Sequence, residues 1–421
     1  MRIEDIQVET VGAAARLSAS VTWEDCDRAP QRVFFETDQE HAPYLSCNPH
    51  AFLVASILPA MRHGEKRVAM REAICPELRD GLETAMLFIR AWHGPNREPV
   101  RIEAGTQGYV RFRDTTARHT ALFMSGGIDS MASLCANRRN YPPDHPGSIK
   151  SGIFVHGFDI GAIQGGDSEL DAFERARTLL STVAREAGIS LVPLYTNVRH
   201  LDDDIPFWMH EFHGAALAAA AHALAHGFSD VLIASTFDAP NLEPWGSHPL
   251  LDPFYGSGDL RIRHDGLRYS RLDKVRMISE WDIALQNLRV CTENPSDALN
   301  CGSCEKCVRT MTELLALGKL SGCQAFPTND VSRELLESIQ ITNGLQDCIY
   351  QELVEPLSSQ SRMDLVEVID AKSAQYHRQL AWEEERDWKG AVKRLDRRFL
   401  RGGIYRSYEA ARRVLLRRRS G

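Results

Sequence analysis

From residue 119 onward, short apolar runs alternate with longer amphipathic stretches, and few architectures accommodate that alternation. Thr120 to Met124, Gly152 to Phe158, Ser190 to Tyr195 and Asp230 to Ala234 read as buried strands; Asp129 to Arg138, Ser168 to Ala187 and Glu211 to His226 read as helices between them. Strands that are apolar throughout are covered on both faces, and joining them through helices makes them parallel. The 168–187 helix opens on a Ser168-x-x-Asp171 capping box and stops at Gly188, an ordinary start and finish for a helix. The fold class predicted is therefore α/β, a doubly wound parallel sheet whose ligands sit at the carboxyl ends of the strands.

The flanks read differently. Residues 1–117 mix short strand-like runs (Arg32 to Phe35, Val100 to Ile102, Tyr109 to Phe112) with helices from about His50 to Leu58 and from Pro76 to Ala91, which suggests a small α+β domain of unknown role. Residues 118–315 form the α/β domain. Residues 316–421 read as a helical, basic extension, with helices expected over Val331 to Ile339, Asp364 to Arg386 and Lys389 to Phe399.

The 421 residues carry 49 basic and 57 acidic side chains, a net charge of −8. That balance argues against a general nucleic-acid or membrane-surface binder, although eleven Lys or Arg lie beyond residue 392, where they can face solvent, dock a protein partner or touch phosphate. The first residues lack a basic segment followed by an apolar run, and the most apolar helix candidate, Ala215 to Ala225, is too short for a bilayer, so a cytoplasmic protein is expected. In that setting ten cysteines point to thiols or metal ligands rather than disulfides.

Two motifs carry chemistry. Directly after the first apolar strand comes Ser125-Gly126-Gly127-Ile128-Asp129-Ser130. A glycine-rich turn between a strand and a helix presents successive backbone N–H groups and the positive end of the helix, a nest for phosphate oxygens. Ser125 and Ser130 add hydroxyls, and Asp129 is suited to hold a Mg²⁺ shared with phosphates. The loop lacks the Gly-Lys-Ser/Thr of a Walker motif and the third glycine of the dinucleotide fingerprint; the plainer alternative is an ordinary tight βα turn. The second motif is Cys291-x9-Cys301-x2-Cys304-x2-Cys307. Four thiolates suit a closed, structural Zn²⁺ site, with an iron–sulfur cluster or plain buried thiols as the rivals.

An apolar strand followed by Ser-Gly-Gly-x-Asp-Ser resembles the PP-loop of the N-type ATP pyrophosphatases, and Asn300-Cys301-Gly302-Ser303-Cys304-Glu305-Lys306-Cys307 is similar to the zinc site of one branch, the 7-cyano-7-deazaguanine synthases. The resemblance spans about residues 119–315. It implies a HUP/PP-loop type of sheet, ATP with Mg²⁺ and Zn²⁺, and cleavage of ATP between the α and β phosphates. A carboxylate or carbonyl oxygen takes the AMP, a nitrogen nucleophile displaces it, and an amide, nitrile or conjugate results. The loop keeps the pyrophosphate.

The resemblance also implies roles for single residues. Lys274, on a helix opened by a Ser270-x-x-Asp273 capping box, matches a phosphate-contacting lysine, and Arg271 shares its helix face; each is otherwise a surface charge. Val155-His156-Gly157-Phe158-Asp159 corresponds to the adenine-side segment, with His156 and Phe158 as candidates. After the fourth strand, the irregular 236–249 loop offers Asp238, Trp245, Ser247 and His248 as substrate-pocket candidates, or else is a surface loop pinned by prolines. His210-Glu211-Phe212-His213 is one residue short of the zinc-protease spacing and reads as a helix entry. Two other functions stay open: sulfur insertion through a persulfide on Cys135, and a non-catalytic zinc protein that binds nucleotide or nucleic acid. The partners expected are a small-molecule or protein acyl substrate and, through the flanking regions, a protein.

Overall fold

The computed structural model describes residues 1–108, 118–161, 167–291, 293, 295 and 298–386. The strand expected at Tyr109 to Phe112, the Lys389 to Phe399 helix, the basic tail and the side chain of Ser168 lie outside them. Two compact units are present, Met1–Val331 and Ser332–Gly421.

The first unit is built on one sheet. Its strands are β1 (Arg2–Val11), β2 (Ala14–Thr22), β3 (Gln31–Asp38), β4 (Arg67–Ile74), β5 (Arg101–Thr106), β6 (His119–Phe123), β7 (Ile149–His156), β8 (Ser190–Thr196), β9 (Phe228–Ala234) and β10 (Arg261–Asp265), in the order β10-β9-β6-β7-β8-β3-β2-β1-β4-β5. Its helices are α1 (Pro49–Arg62), α2 (Pro76–His93), α3 (Ile128–Asn140), α4 (Asp167–Ala187), α5 (Ile205–Phe207), α6 (His213–Ala223), α7 (Arg271–Ser279), α8 (Asp282–Gln286) and α9 (Glu305–Ala316).

Strands β6 to β10 are mutually parallel. From β6 the chain steps outward through α3 to β7 and through α4 to β8, then returns through α6 to β9 on the other side of β6. With right-handed crossovers this reversal sends α6 to the opposite face from α3 and α4, where it packs against α1, while α3 packs against α7. The place where the strand order reverses is the carboxyl end of β6. The 125–130 loop begins there.

The boundary drawn at residue 117 from the sequence does not separate compact units. The strands of residues 1–117 extend the same sheet, joining at an antiparallel contact between β3 and β8 in which only Phe35 and Glu36 pair, with Thr196 and Tyr195. Side chains complete this seam: Thr37 donates its hydroxyl to the Pro193 carbonyl at 2.6 Å, Thr196 donates to the Phe34 carbonyl at 2.6 Å, and Asn197 bonds both the Phe34 N–H and the Arg32 carbonyl. A proline in β8 has no N–H to offer the seam, while its carbonyl is taken by the Thr37 hydroxyl. The second unit begins at Ser332 rather than at 316. It contains α10 (Arg333–Ser338), α11 (Gly344–Gln351), α12 (Val354–Ser359) and α13 (Met363–Arg386), with α13 against the other three.

Beneath α1 and α6, His50 and His222 meet edge to face with ring centroids 5.3 Å apart. His50 Nε2 accepts from the Cys75 N–H at 3.0 Å, and His222 Nε2 bonds the Tyr255 carbonyl at 2.8 Å. Burial pushes His50 down to about 3 from an ordinary 6.5, with His222 adding to the shift; burial also lowers His222. The neutral rings are favoured in the folded state, so their contribution is complete above pH 6.5 and is lost at lower pH, for His50 as pH falls from there towards 3. His50 is expected to remove about 1.4 kcal/mol of stability per pH unit within that window. Urea midpoints between pH 6.5 and 5 should show a slope that His50→Gln, which keeps an acceptor for Cys75, reduces. An unchanged slope would refute this account.

Candidate functional site

The loop after β6 is held open by its own serines. Gly126 adopts a φ of +82°, a left-handed conformation that glycine reaches without penalty, and its carbonyl accepts from the Arg289 N–H at 2.9 Å. A Cβ on Gly126 would lie 3.1 Å from Leu180 and 3.4 Å from Arg289. Ser125 Oγ accepts from the Gly127 N–H at 3.3 Å, and Ser130 Oγ donates to the Gly127 carbonyl at 3.1 Å. Gly127 is the N-cap of α3 and supplies no side chain to the first turn. The leading N–H groups of α3 are thereby left for an acceptor from outside the helix. Ile128 opens the helix with a buried side chain.

Asp129 draws in residues from far along the chain. Lys274 Nζ lies 2.9 Å from Asp129 Oδ1 and 2.6 Å from the Ser235 carbonyl, and Arg271 Nη1 lies 3.5 Å from Asp129 Oδ2. The expected Ser270 cap forms, its hydroxyl accepting from the Asp273 N–H at 3.3 Å, so α7 begins where both basic residues face the loop. Arg271 is held in turn by Glu313 at 3.1 Å and by Thr310 Oγ1 at 3.3 Å, both on α9. Burial alone would raise the Asp129 carboxyl, but Lys274, Arg271 and Arg309 outweigh it and hold Asp129 below its usual range. At Glu313 burial prevails over Arg271 and Arg309, and its pKa is raised. The loop therefore faces a cluster of three cations, Lys274, Arg271 and Arg309, matched by the carboxylates of Asp129, Glu313 and Glu305.

The cysteines converge as their spacing suggests. The four sulfurs of Cys291, Cys301, Cys304 and Cys307 lie within 4.8 Å of one another, with Cys291 to Cys304 and Cys301 to Cys307 both at 3.9 Å. Tetrahedral Zn–S bonds of about 2.3 Å put neighbouring sulfurs about 3.8 Å apart, so the cluster fits a metal such as zinc. Gly302, at a φ of +75° against Pro327, turns the chain between the first and second ligands of the knuckle. Burial opposes ionisation of Cys301, but the Ser303 hydroxyl and the N–H groups of Ser303 and Cys304 point at its sulfur and bring it down to about 6. Asn300 fixes the approach, accepting from the N–H groups of Val290 and Cys291 and donating to the carbonyls of Leu288 and Ala325. Cys304 is the N-cap of α9, so the helix that carries Thr310 and Glu313 to Arg271 starts at the cysteine cluster.

Other candidates are distributed around these two centres. His156 ends β7 against Phe173 and Tyr195. The Phe158 ring is in the core, 5.1 Å from Trp208, which leaves its backbone at the strand end. Of the four pocket candidates, Trp245 and Asp238 are half-buried on the loop after β9, where Trp245 meets His210 and Phe237 and Asp238 bonds Asn241. Ser247 and His248 are buried: Ser247 donates to Asp252 at 2.6 Å, and His248 packs on Trp92. Residues 210–213 do form a helix entry, and its opening, Trp208–Phe212, is a π-helical turn that runs into α6.

Arg309 ends the cysteine motif, whereas Thr310 and Glu313 lie beyond it and carry no motif of their own, although the i, i+4 spacing of Arg309 and Glu313 puts them on one helix face. Arg199 and Arg289 carry no motif, and Asp159 closes the strand-end segment Val155-His156-Gly157-Phe158-Asp159 without having been singled out within it. None of the described helices is long and apolar enough to cross a membrane. Comparison of the chain with protein-family models, curated proteins and solved structures returns no match.

Proposed function

We propose that the chain is an ATP-dependent C–N ligase or synthase of the PP-loop type, which adenylates a carboxylate or carbonyl oxygen, releases pyrophosphate and lets a nitrogen nucleophile displace AMP. One observation carries this reading: Lys274 and Arg271, some 145 residues beyond Asp129 in sequence, converge on the glycine loop at the point where the parallel strand order reverses. A phosphate-bearing ligand entering there meets the α3 N–H groups, the two serine hydroxyls and both cations. These donors stabilise the charge that builds on a departing pyrophosphate, in a site that is already organised around it. Asp129 offers one carboxylate to Mg²⁺, which suffices where phosphates supply the other ligands; such an ion would supply charge neutralisation of those phosphates. The strand order β8-β7-β6-β9-β10 supports the HUP-type assignment.

The sulfur-transfer alternative is weakened by Cys135. Its thiol is buried on α3, 3.8 Å from the Met277 carbonyl, and burial raises its pKa, the opposite of what a reactive thiol requires. The deciding assay incubates the protein with Mg·ATP, ammonium ion and a panel of carboxylates and separates AMP plus pyrophosphate from ADP plus phosphate. AMP formation that depends on one carboxylate is the expected result. ADP and phosphate as products would eliminate the proposal, and salt-sensitive nucleic-acid binding without turnover would favour a non-catalytic role.

A further inference from the structure

Among the described residues only two Lys or Arg residues are buried, Lys274 at 2 % exposure and Arg199 at 6 %. Lys274 has the Asp129 carboxylate. Arg199 has none. Its guanidinium donates through Nη1 to the Phe158 carbonyl at 2.7 Å and lies 4.7 Å above the Trp208 ring, while Nε has no hydrogen-bond partner. A buried guanidinium without a carboxylate is costly, and an unsatisfied buried donor calls for an explanation.

Its position supplies one. Arg199 follows β8, Phe158 follows β7, and Trp208 lies in the π-helical turn before α6, so all three come after the carboxyl ends of β7 and β8, the two parallel strands on one side of the loop strand β6. π-helical turns within helices recur at functional sites. From Trp208 an aromatic series continues through His213 to Trp245 and Phe237 at the end of β9, spanning the strand ends on either side of the glycine loop. The Asp159 charge acts on Arg199, on His213 and on Arg289, and the Arg289 N–H is bonded to Gly126 in the loop. Arg199 and the phosphate nest thus border one region of the sheet edge.

We propose that Arg199 is the specificity-determining residue for the acyl substrate, its guanidinium receiving a carboxylate beside the Trp208 indole. This rests on the adenylation reading above. A guanidinium backed by an indole and already bonded to a backbone carbonyl is pre-oriented, so a carboxylate gains charge-assisted bonds without much further ordering.

The test uses the full-length protein and two sets of probes, followed by calorimetry and tryptophan fluorescence: pyrophosphate for the loop, and benzoate and indole-3-carboxylate against the neutral benzamide for Arg199. Wild type is expected to bind a carboxylate probe and to discriminate against benzamide. Arg199→Gln should weaken carboxylate binding about tenfold or more and leave pyrophosphate binding within about twofold; Arg199→Lys, which keeps the charge, should recover part of the loss. If Arg199→Gln does not fold, the ¹⁵Nε resonance of Arg199 in wild type should still shift on adding benzoate and stay fixed on adding benzamide. Equal carboxylate affinity in wild type and Arg199→Gln, a wild type that binds pyrophosphate but neither carboxylate, or an Nε resonance indifferent to benzoate would each overturn the assignment. Failure of pyrophosphate to bind would instead count against the loop reading, which the carboxylate measurements do not touch.

Discussion

Lys274→Met is expected to lower AMP formation by about 10²- to 10³-fold, the loss seen when one pre-organised charge-stabilising donor is removed. The substitution preserves most of the side chain's length and packing but removes the group that lies on Asp129 and on the Ser235 carbonyl. Stability should fall as well, by about 1–3 kcal/mol, because Asp129 loses a hydrogen-bonded partner and Ser235 an interior donor. Asp129→Asn should be comparably inactive for a different reason: Lys274 and Arg271 then face one another with no carboxylate between them. Combining the two substitutions separates catalysis from folding. The double variant removes both charges together, so its stability loss should be smaller than the sum of the single losses, while activity stays at the floor. A double variant that regains activity, or single variants that keep wild-type AMP formation, would show that this cluster holds the fold together and nothing more.

Removing metal from the cysteine cluster should register at the glycine loop. α9 starts at Cys304, and Thr310 and Glu313 on that helix hold Arg271 against Asp129. Wild-type protein is expected to contain about one equivalent of zinc and no visible iron–sulfur absorbance. At free zinc roughly 1,000-fold above Kd, binding contributes about 4 kcal/mol, which corresponds to a fall in Tm on the order of 10 °C when it is lost. Cys307→Ser should reproduce the loss without a chelator, since it removes a ligand from a wholly buried position. Pyrophosphate binding should weaken in the same samples, as Arg271 loses its backing. Metal-free protein with an unchanged Tm and unchanged pyrophosphate affinity would disconnect the two centres.

The parallel half of the sheet was readable because its strands are apolar throughout and are punctuated by glycine and capping residues. β6, β7, β8 and β9 appear within a few residues of where the pattern puts them, and the four cysteines assemble as their spacing implies. Four strands lack a counterpart among the sequence expectations: β1 and β10 carry little apolar signal, whereas β2 and β4 alternate buried apolar residues with more exposed ones. β1, RIEDIQVETV, is exposed along most of its length, and β10, RIRHD, is an edge strand with a single apolar residue. No local pattern announces that β3 will meet β8, because side-chain hydroxyls and amides from distant segments make much of that contact. The site follows the same division. The residues that meet at the glycine loop, Asp129, Lys274 and Arg271, are ones that motifs and caps single out in the sequence, whereas the setting of Arg199, the residue proposed for the acyl substrate, depends on what surrounds it in three dimensions. Burial of Ser247 and His248 also depends on packing, here against Asp252 and Trp92.

The seam between β3 and β8 bears on how the chain is made. During synthesis, Phe35 and Glu36 reach the ribosome exit long before Thr196 and Tyr195, their partners in β8. At about 5–20 residues per second, the free edge of β3 waits roughly 10–30 s for its neighbour. During that interval the hairpin of β1, β2 and β3 presents an unpaired strand to any other chain nearby, the condition under which sheets pair wrongly. Slow translation through residues 40–190 lengthens the exposure. The yield of folded protein should therefore respond to synonymous codon changes in that stretch more strongly than to similar changes after β8.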